Sequence, residues 1–158
     1  MEKKDLRILI EKKAAERGVD PELVEAVVMT ESSGRYLSAR FEKGFYKTYV
    51  EKLPVKEAWK IFYATSWGLM QIMGLVAYEM GFPNNPVELM DPEINLDYGI
   101  RFLKRKIDKH GIPAGIAAYN AGTPRKTASG EFTNQVYVDR VNGFLAEIKK
   151  EKANGART

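Results

Sequence analysis

Residues 20–34 read Asp20-Pro21-Glu22-Leu23-Val24-Glu25-Ala26-Val27-Val28-Met29-Thr30-Glu31-Ser32-Ser33-Gly34. The first three are a helix start: a capping side chain, a proline at the first helical position and a first-turn acid. Leu23 and Val27 share one face, and Glu31 falls on that face at i+8. Ser32, Ser33 and Gly34 then stop the segment, which leaves the glutamate at a helix end. The negative end of the helix dipole and desolvation both oppose its ionisation, so both raise its pKa. A carboxylic acid kept protonated near neutral pH is what general-acid catalysis needs. The plainer alternative is a solvated glutamate at a frayed terminus.

The rest of the chain narrows the chemistry. With 158 residues, 44% hydrophobic and 29% charged, it has enough apolar material for one well-formed core. It contains no cysteine, which excludes disulfides, thiolate metal sites and cysteine nucleophiles. His110 is its single histidine, so a multi-histidine metal site is excluded, and a Ser-His-Asp triad would have to use that residue. No cofactor or metal is expected. No apolar run approaches a membrane span, so no membrane insertion is expected either. The start, MEKKDLRILIEKKAAERG, is amphipathic rather than a signal peptide, so export would need a leader outside these residues or another route. The net charge of +4 suits a polyanionic partner without identifying one.

Helical patterning dominates. Leu6, Leu9, Ile10 and Ala14 form a first helix that Gly18 closes. A short helix follows Pro54 over Val55–Tyr63, and Ser66–Gly81 reads as another, with Leu69, Met73 and Val76 on one side. Asp91-Pro92-Glu93 repeats the capping signal, and Leu96, Ile100, Leu103 and Ile107 carry that helix to His110-Gly111. Ile116–Ala121 is a short apolar helix, Thr123–Thr133 a polar loop, and Val136–Lys150 a terminal helix before a frayed basic tail at 151–158. Nine of the 17 aromatics crowd into residues 36–67. With no strand alternation of useful length, repeat or linker, the expectation is an all-α single domain of roughly six to eight helices.

Two more stretches carry polar groups among small and apolar residues. In Ser66-Trp67-Gly68-Leu69-Met70-Gln71-Ile72-Met73, Gly68 permits close backbone approach, Gln71 offers a donor and an acceptor, and Met70 and Met73 are adaptable apolar surface. In Ala117-Ala118-Tyr119-Asn120-Ala121-Gly122, small residues bring a hydroxyl and an amide close to neighbouring backbone. Each also reads as an ordinary packed helix.

Taken in order, "ES", "GLMQIM", "AAYNAG" and Tyr137-Val138 resemble the catalytic domain of the soluble lytic transglycosylases, over a core of about residues 18–145. The resemblance implies a lysozyme-like α fold with a glycan cleft, peptidoglycan strands as partner, a monomer, and a site of action in the periplasm or cell wall. It implies cleavage of the β-1,4 bond between N-acetylmuramic acid and N-acetylglucosamine without water, leaving a 1,6-anhydro ring. Glu31 matches the family's single catalytic acid and Ser32 its usual neighbour. Gly68, Met70, Gln71 and Met73 match the segment lining the cleft. Tyr119 and Asn120 match the pair supporting acid and sugar, and Tyr137 the late tyrosine that closes over them. Gln71, Tyr119 and Asn120 are therefore expected to converge around Glu31.

One departure stands out. Thirty-six residues separate Glu31 from Gly68, far more than many members use, and they bring in the aromatic-rich insertion 36–67. It is too short to hold a core of its own, so its aromatics must pack on the main body or on sugar faces. Glu42, inside it, reads as a loop salt-bridge residue close in sequence to the acid. Two rival readings share the motifs: a goose-type lysozyme delivering water to the same bond, and a non-catalytic peptidoglycan-binding module. Nucleic acid is a poor partner, since the basic residues are scattered rather than gathered with aromatics.

Overall fold

Helix ends in this chain fall where local chemistry puts them. The computed structural model describes residues 1–83 and 85–155. In chain order the elements are α1 (Lys3–Arg17), α2 (Pro21–Ser32), β1 (Ala39–Phe41), the single turn α3 (Lys43–Phe45) running into a π-helical turn at Tyr46–Val50, and α4 (Glu57–Tyr63). Then come β2 (Thr65–Trp67), β3 (Ile72–Met73), α5 (Gly74–Glu79), a 3₁₀ turn at Pro86–Met90, α6 (Pro92–His110), α7 (Ala114–Ala121) and α8 (Gln135–Gly155). Asp20 accepts from the Glu22 amide to open α2, and Asp91 accepts from the Glu93 and Ile94 amides to open α6. Gly18, in the left-handed region, closes α1. The all-α class expected from the sequence holds.

Two expectations change. Ser66–Gly81 is not one helix: residues 65–73 form a β-hairpin, and only Gly74–Glu79 is helical. The reason lies in the turn, where Gly68 at φ 69° and Gln71 at φ 48° both occupy the left-handed region, which a helix cannot use. Strand β2 pairs with β1 on one side and β3 on the other, both antiparallel, so a small sheet interrupts the helices. The tail read as frayed from residue 151 instead continues α8 to Gly155, and residues 156–158 lie outside the described residues. Glu151 and Lys152 hold that last stretch to the body: Glu151 pairs with Arg7 at 2.6 Å and Lys152 with Glu11 at 2.9 Å.

Packing divides into two apolar clusters. In the larger, α2 sits among α1, α6, α7 and α8, and every residue from Leu23 to Val28 is buried. That includes Glu25, whose carboxylate takes the Arg7 guanidinium at 2.7 Å. The second cluster joins Val50, Phe62 and Tyr63 of the 36–67 segment to Ile72, Ala77, Phe82 and Leu89. Most of the segment's aromatics are therefore packing, as its length requires.

Asn95, fully buried on α6, ties the clusters together. Its Oδ1 accepts from the Met70 amide at 2.8 Å, while its Nδ2 donates to the carbonyls of Trp67 and Leu89, each at 2.8 Å. A Cβ on Gly68 would lie 2.3 Å from Asn95 Nδ2, so only glycine lets the turn close on this amide. Replacing Asn95 by leucine fills the same space but orphans three backbone groups, at ~1–3 kcal/mol each. Urea unfolding is expected to show a loss of at least ~3 kcal/mol; a change under ~1 kcal/mol would count against this role for Asn95.

Candidate active site

Glu31 is the penultimate residue of α2, half-buried at the wall of a cavity of about 420 Å³. Its Oε1 accepts a hydrogen bond of 2.7 Å from the Tyr137 hydroxyl, which arrives from the first turn of α8. Burial dominates its acidity and pushes the pKa up to about 7. The Tyr137 hydrogen bond and the charge of Arg40 oppose the rise, Glu42 adds to it, and Arg140 opposes it again. Burial foremost, with the nearby Glu31, holds the phenols of Tyr119 and Tyr137 well above the usual tyrosine range, so both stay hydroxyl donors.

The cavity wall opposite is built by the sheet. Ala39–Phe41 pairs with Thr65–Trp67 so that Arg40 faces Ser66, and Ser66 faces Met73 on the next strand. All three line the cavity, as does Glu42, two residues beyond Arg40 and so on the same face. Phe45 and Tyr49 continue the wall, their ring centroids 4.8 Å apart and their planes tilted by 47°. Segment 36–67 is thus both core and cavity wall.

Of the residues the sequence singles out, Glu31, Gln71, Met73, Tyr119 and Asn120 line this one cavity, and Tyr137 bonds to Glu31. Gln71 accepts from Ser66 Oγ at 3.0 Å and donates to the Gly68 carbonyl at 2.9 Å, which fixes its strained backbone. Asn120 is exposed, its Oδ1 taking the Asn134 amide at 3.0 Å. Ser32, Gly68 and Met70 are placed differently from expectation: they stand behind the wall rather than on it. Ser32 is buried and its Oγ donates to the Leu69 carbonyl at 2.8 Å, while Met70 is fully buried with its sulfur side chain against Gly99. Tyr119 corrects a second expectation. Its ring reaches the cavity, but its hydroxyl donates to the Met70 carbonyl at 2.7 Å and not to Glu31.

Sequence reading missed Asn95, because a lone asparagine beside Leu96 carries no signal that three backbone groups await it. It also left Arg40 outside the site; the two-residue spacing Arg40-Phe41-Glu42 was the available clue once a strand was allowed there. Glu42 proves to be both things at once, an ion-pair partner of Arg40 at 2.6 Å and a second carboxylate on the cavity. Among the described residues no group of three or more His, Cys, Asp or Glu side chains is arranged to hold a metal ion, and no helix is long and apolar enough to cross a membrane. For Tyr119→Phe the ring stays but the buried Met70 carbonyl loses its donor, so thermal or chemical unfolding is expected to show a loss of ~1–3 kcal/mol. Unchanged stability would mean the hydroxyl does not serve that carbonyl.

This arrangement suits proton transfer to a group held in the cavity: one acid poised near neutrality, a hydroxyl to steady its anion, and polar and aromatic walls. Comparison with known families agrees. The family profile described as the transglycosylase SLT domain matches residues 8–135, most of the chain, and covers the acid, the hairpin turn, α7 and the loop leading to α8. The mostly helical architecture is consistent with the lysozyme-like fold, and the chain belongs to the transglycosylase SLT domain family.

Proposed function

We propose that this domain cleaves the β-1,4 bond between N-acetylmuramic acid and N-acetylglucosamine in peptidoglycan, without water, leaving a 1,6-anhydromuramyl end. The observation that carries the proposal is Glu31, raised to about 7 by burial and bonded to Tyr137 in the shared cavity. Family membership supports peptidoglycan as the substrate and an extracytoplasmic site of action.

One carboxylate suffices for the chemistry. Protonated Glu31 donates to the glycosidic oxygen as the C1–O bond breaks and positive charge grows at C1. The substrate's own 2-acetamido group stabilises C1, in place of a second enzymic carboxylate. Glu31, now anionic and steadied by Tyr137, takes the proton from the C6 hydroxyl as its oxygen closes on C1. Atoms balance with no water entering. The apolar wall of Phe45 and Tyr49 helps keep water from competing, and proximity favours the intramolecular attack. Gln71, Asn120 and Met73 form the surface against which the sugars lie. Ser32, Gly68 and Met70 act through the backbone of the turn behind it.

The hydrolytic reading has one observation in its favour, the Glu42 carboxylate on the same cavity. Digestion of purified sacculi followed by mass spectrometry separates the two, because the anhydro product is lighter by one water. The transglycosylase reading expects anhydromuropeptides as the dominant product, and hydrated ends alone would refute it.

Glu31→Gln keeps the shape and loses the proton, so turnover of sacculi is expected to fall by ~10²–10⁴. Activity within tenfold of the parent would remove Glu31 from the reaction. For the parent, kcat/KM should fall as pH rises through about 7, where the acid form is titrated away. Tyr137→Phe removes a hydrogen bond that favours the Glu31 anion, so that alkaline limb should move to higher pH. A limb that stays in place or moves down would show that Tyr137 does not govern this acid.

A further inference from the structure

Three charged side chains line the cavity, and two of them are acids: Glu31 and Glu42. Arg40 is the single cation among the described lining residues. It is not loosely held. Its Nε donates to Glu42 Oε1 at 2.6 Å, and that oxygen lies 3.3 Å from Ser66 Oγ, which itself bonds to Gln71. Strand pairing sets Arg40 opposite Ser66, so backbone and side chain both fix where the guanidinium stands. The clamp uses Nε only. The two terminal nitrogens make no hydrogen bond among the described residues, and the side chain is 69% exposed. A guanidinium gripped at one edge, on a largely exposed side chain that lines the cavity, has the planar fork that pairs with a carboxylate through two parallel bonds.

Resting on the peptidoglycan reading above, we propose that Arg40 is a specificity-determining residue that receives a carboxylate on the muramyl substituent. Glu42 and Ser66 are positioning residues that hold the fork in place. The muramyl unit carries its acidic group on the 3-O-lactyl arm. That group is either the lactyl carboxylate itself, in strands without peptide, or a carboxylate of the peptide amide-linked to it. A neutral chitin-type strand offers neither. With the Glu42 carboxylate on the wall, the cavity would otherwise repel such a group, and Arg40 is the one cation among the described lining residues to receive it. The insertion then serves substrate choice, by adding a cation to a wall whose other members are apolar, neutral or acidic.

The test is equilibrium binding by calorimetry, using the full chain with Glu31→Gln so that nothing is turned over. Three tetrasaccharides are compared: neutral chitotetraose, a peptide-free muramyl-containing strand with free lactyl carboxylates, and the same strand bearing stem peptides. Adding Arg40→Gln should weaken binding of the carboxylate-bearing strand by about tenfold or more, while chitotetraose changes by less than about twofold. A loss confined to the peptide-bearing strand assigns the carboxylate to the peptide; a loss on the peptide-free strand assigns it to the lactyl arm. Arg40→Lys keeps the charge but not the clamped fork, and should recover only part of the lost affinity. Equal weakening of all three ligands, or none, overturns the proposal while leaving the peptidoglycan reading intact. A Glu31→Gln chain that binds none of the three overturns both.

Discussion

Three side chains from three helices bond to the backbone of one hairpin turn, and the candidate site depends on that convergence. Ser32 on α2 donates to the Leu69 carbonyl, Asn95 on α6 satisfies the Met70 amide and the Trp67 carbonyl, and Tyr119 on α7 donates to the Met70 carbonyl. A turn carrying two residues in the left-handed region has few internal hydrogen bonds of its own, and most of this one is buried. Without outside partners its polar groups would each be costly. The helices supply those partners and in doing so fix their own spacing. The "ES", "GLMQ" and "AYN" motifs are thus largely a single construction: a polar cradle and the turn it holds, with Glu31 at the cradle's edge.

That explains what could and could not be read from the amino-acid order. Helix ends were legible because Asp20-Pro21-Glu22, Asp91-Pro92-Glu93 and Gly18 act locally, on amides within a few residues. The acid was legible because its helix face and its stop signal are also local. The hairpin was not. Leu69, Met73 and Val76 fit a helical period, and only the two positive-φ positions, set by contacts 25 to 49 residues away, exclude it. The direction of the Tyr119 hydroxyl was hidden for the same reason. A motif shows that a tyrosine and a glutamate belong to one site, but not which of several nearby acceptors the hydroxyl takes. Arg40 escaped notice because a three-residue strand has too few positions to establish alternation.

The electrostatics of Glu31 follow from the same architecture. Folding places the carboxyl where burial raises its pKa from 4.5 to about 7, so the folded state binds a proton that the unfolded chain at neutral pH does not. The sign is the reverse of an ion-paired acid. Stability is undiminished below 4.5, declines as pH rises through 7, and stays lower beyond it. The full difference is on the order of 3 kcal/mol, at about 1.4 kcal/mol per pH unit. Tyr137 limits the penalty by bonding to the anion. A carboxyl with no such donor would ionise later still. That balance is what the proposed single-carboxylate mechanism asks of a group that gives and then takes a proton.

Segment 36–67 adds to this balance without upsetting it. Arg40 favours the Glu31 anion and Glu42 opposes it, and because the two form an ion pair their effects at Glu31 partly cancel. A lone arginine on that wall would lower the acid's pKa and leave less of it protonated near neutrality; a lone glutamate would raise the pKa and keep the carboxyl protonated to higher pH. Paired, they leave the acid near 7 while the guanidinium still lines the cavity. The pairing depends on strand geometry, because residues two apart on β1 and its extension face the same way. A helix in this position would have turned Arg40 and Glu42 about 200° apart and separated cation from clamp. The short sheet is what lets segment 36–67 bring a cation to the cavity while the acid stays near 7.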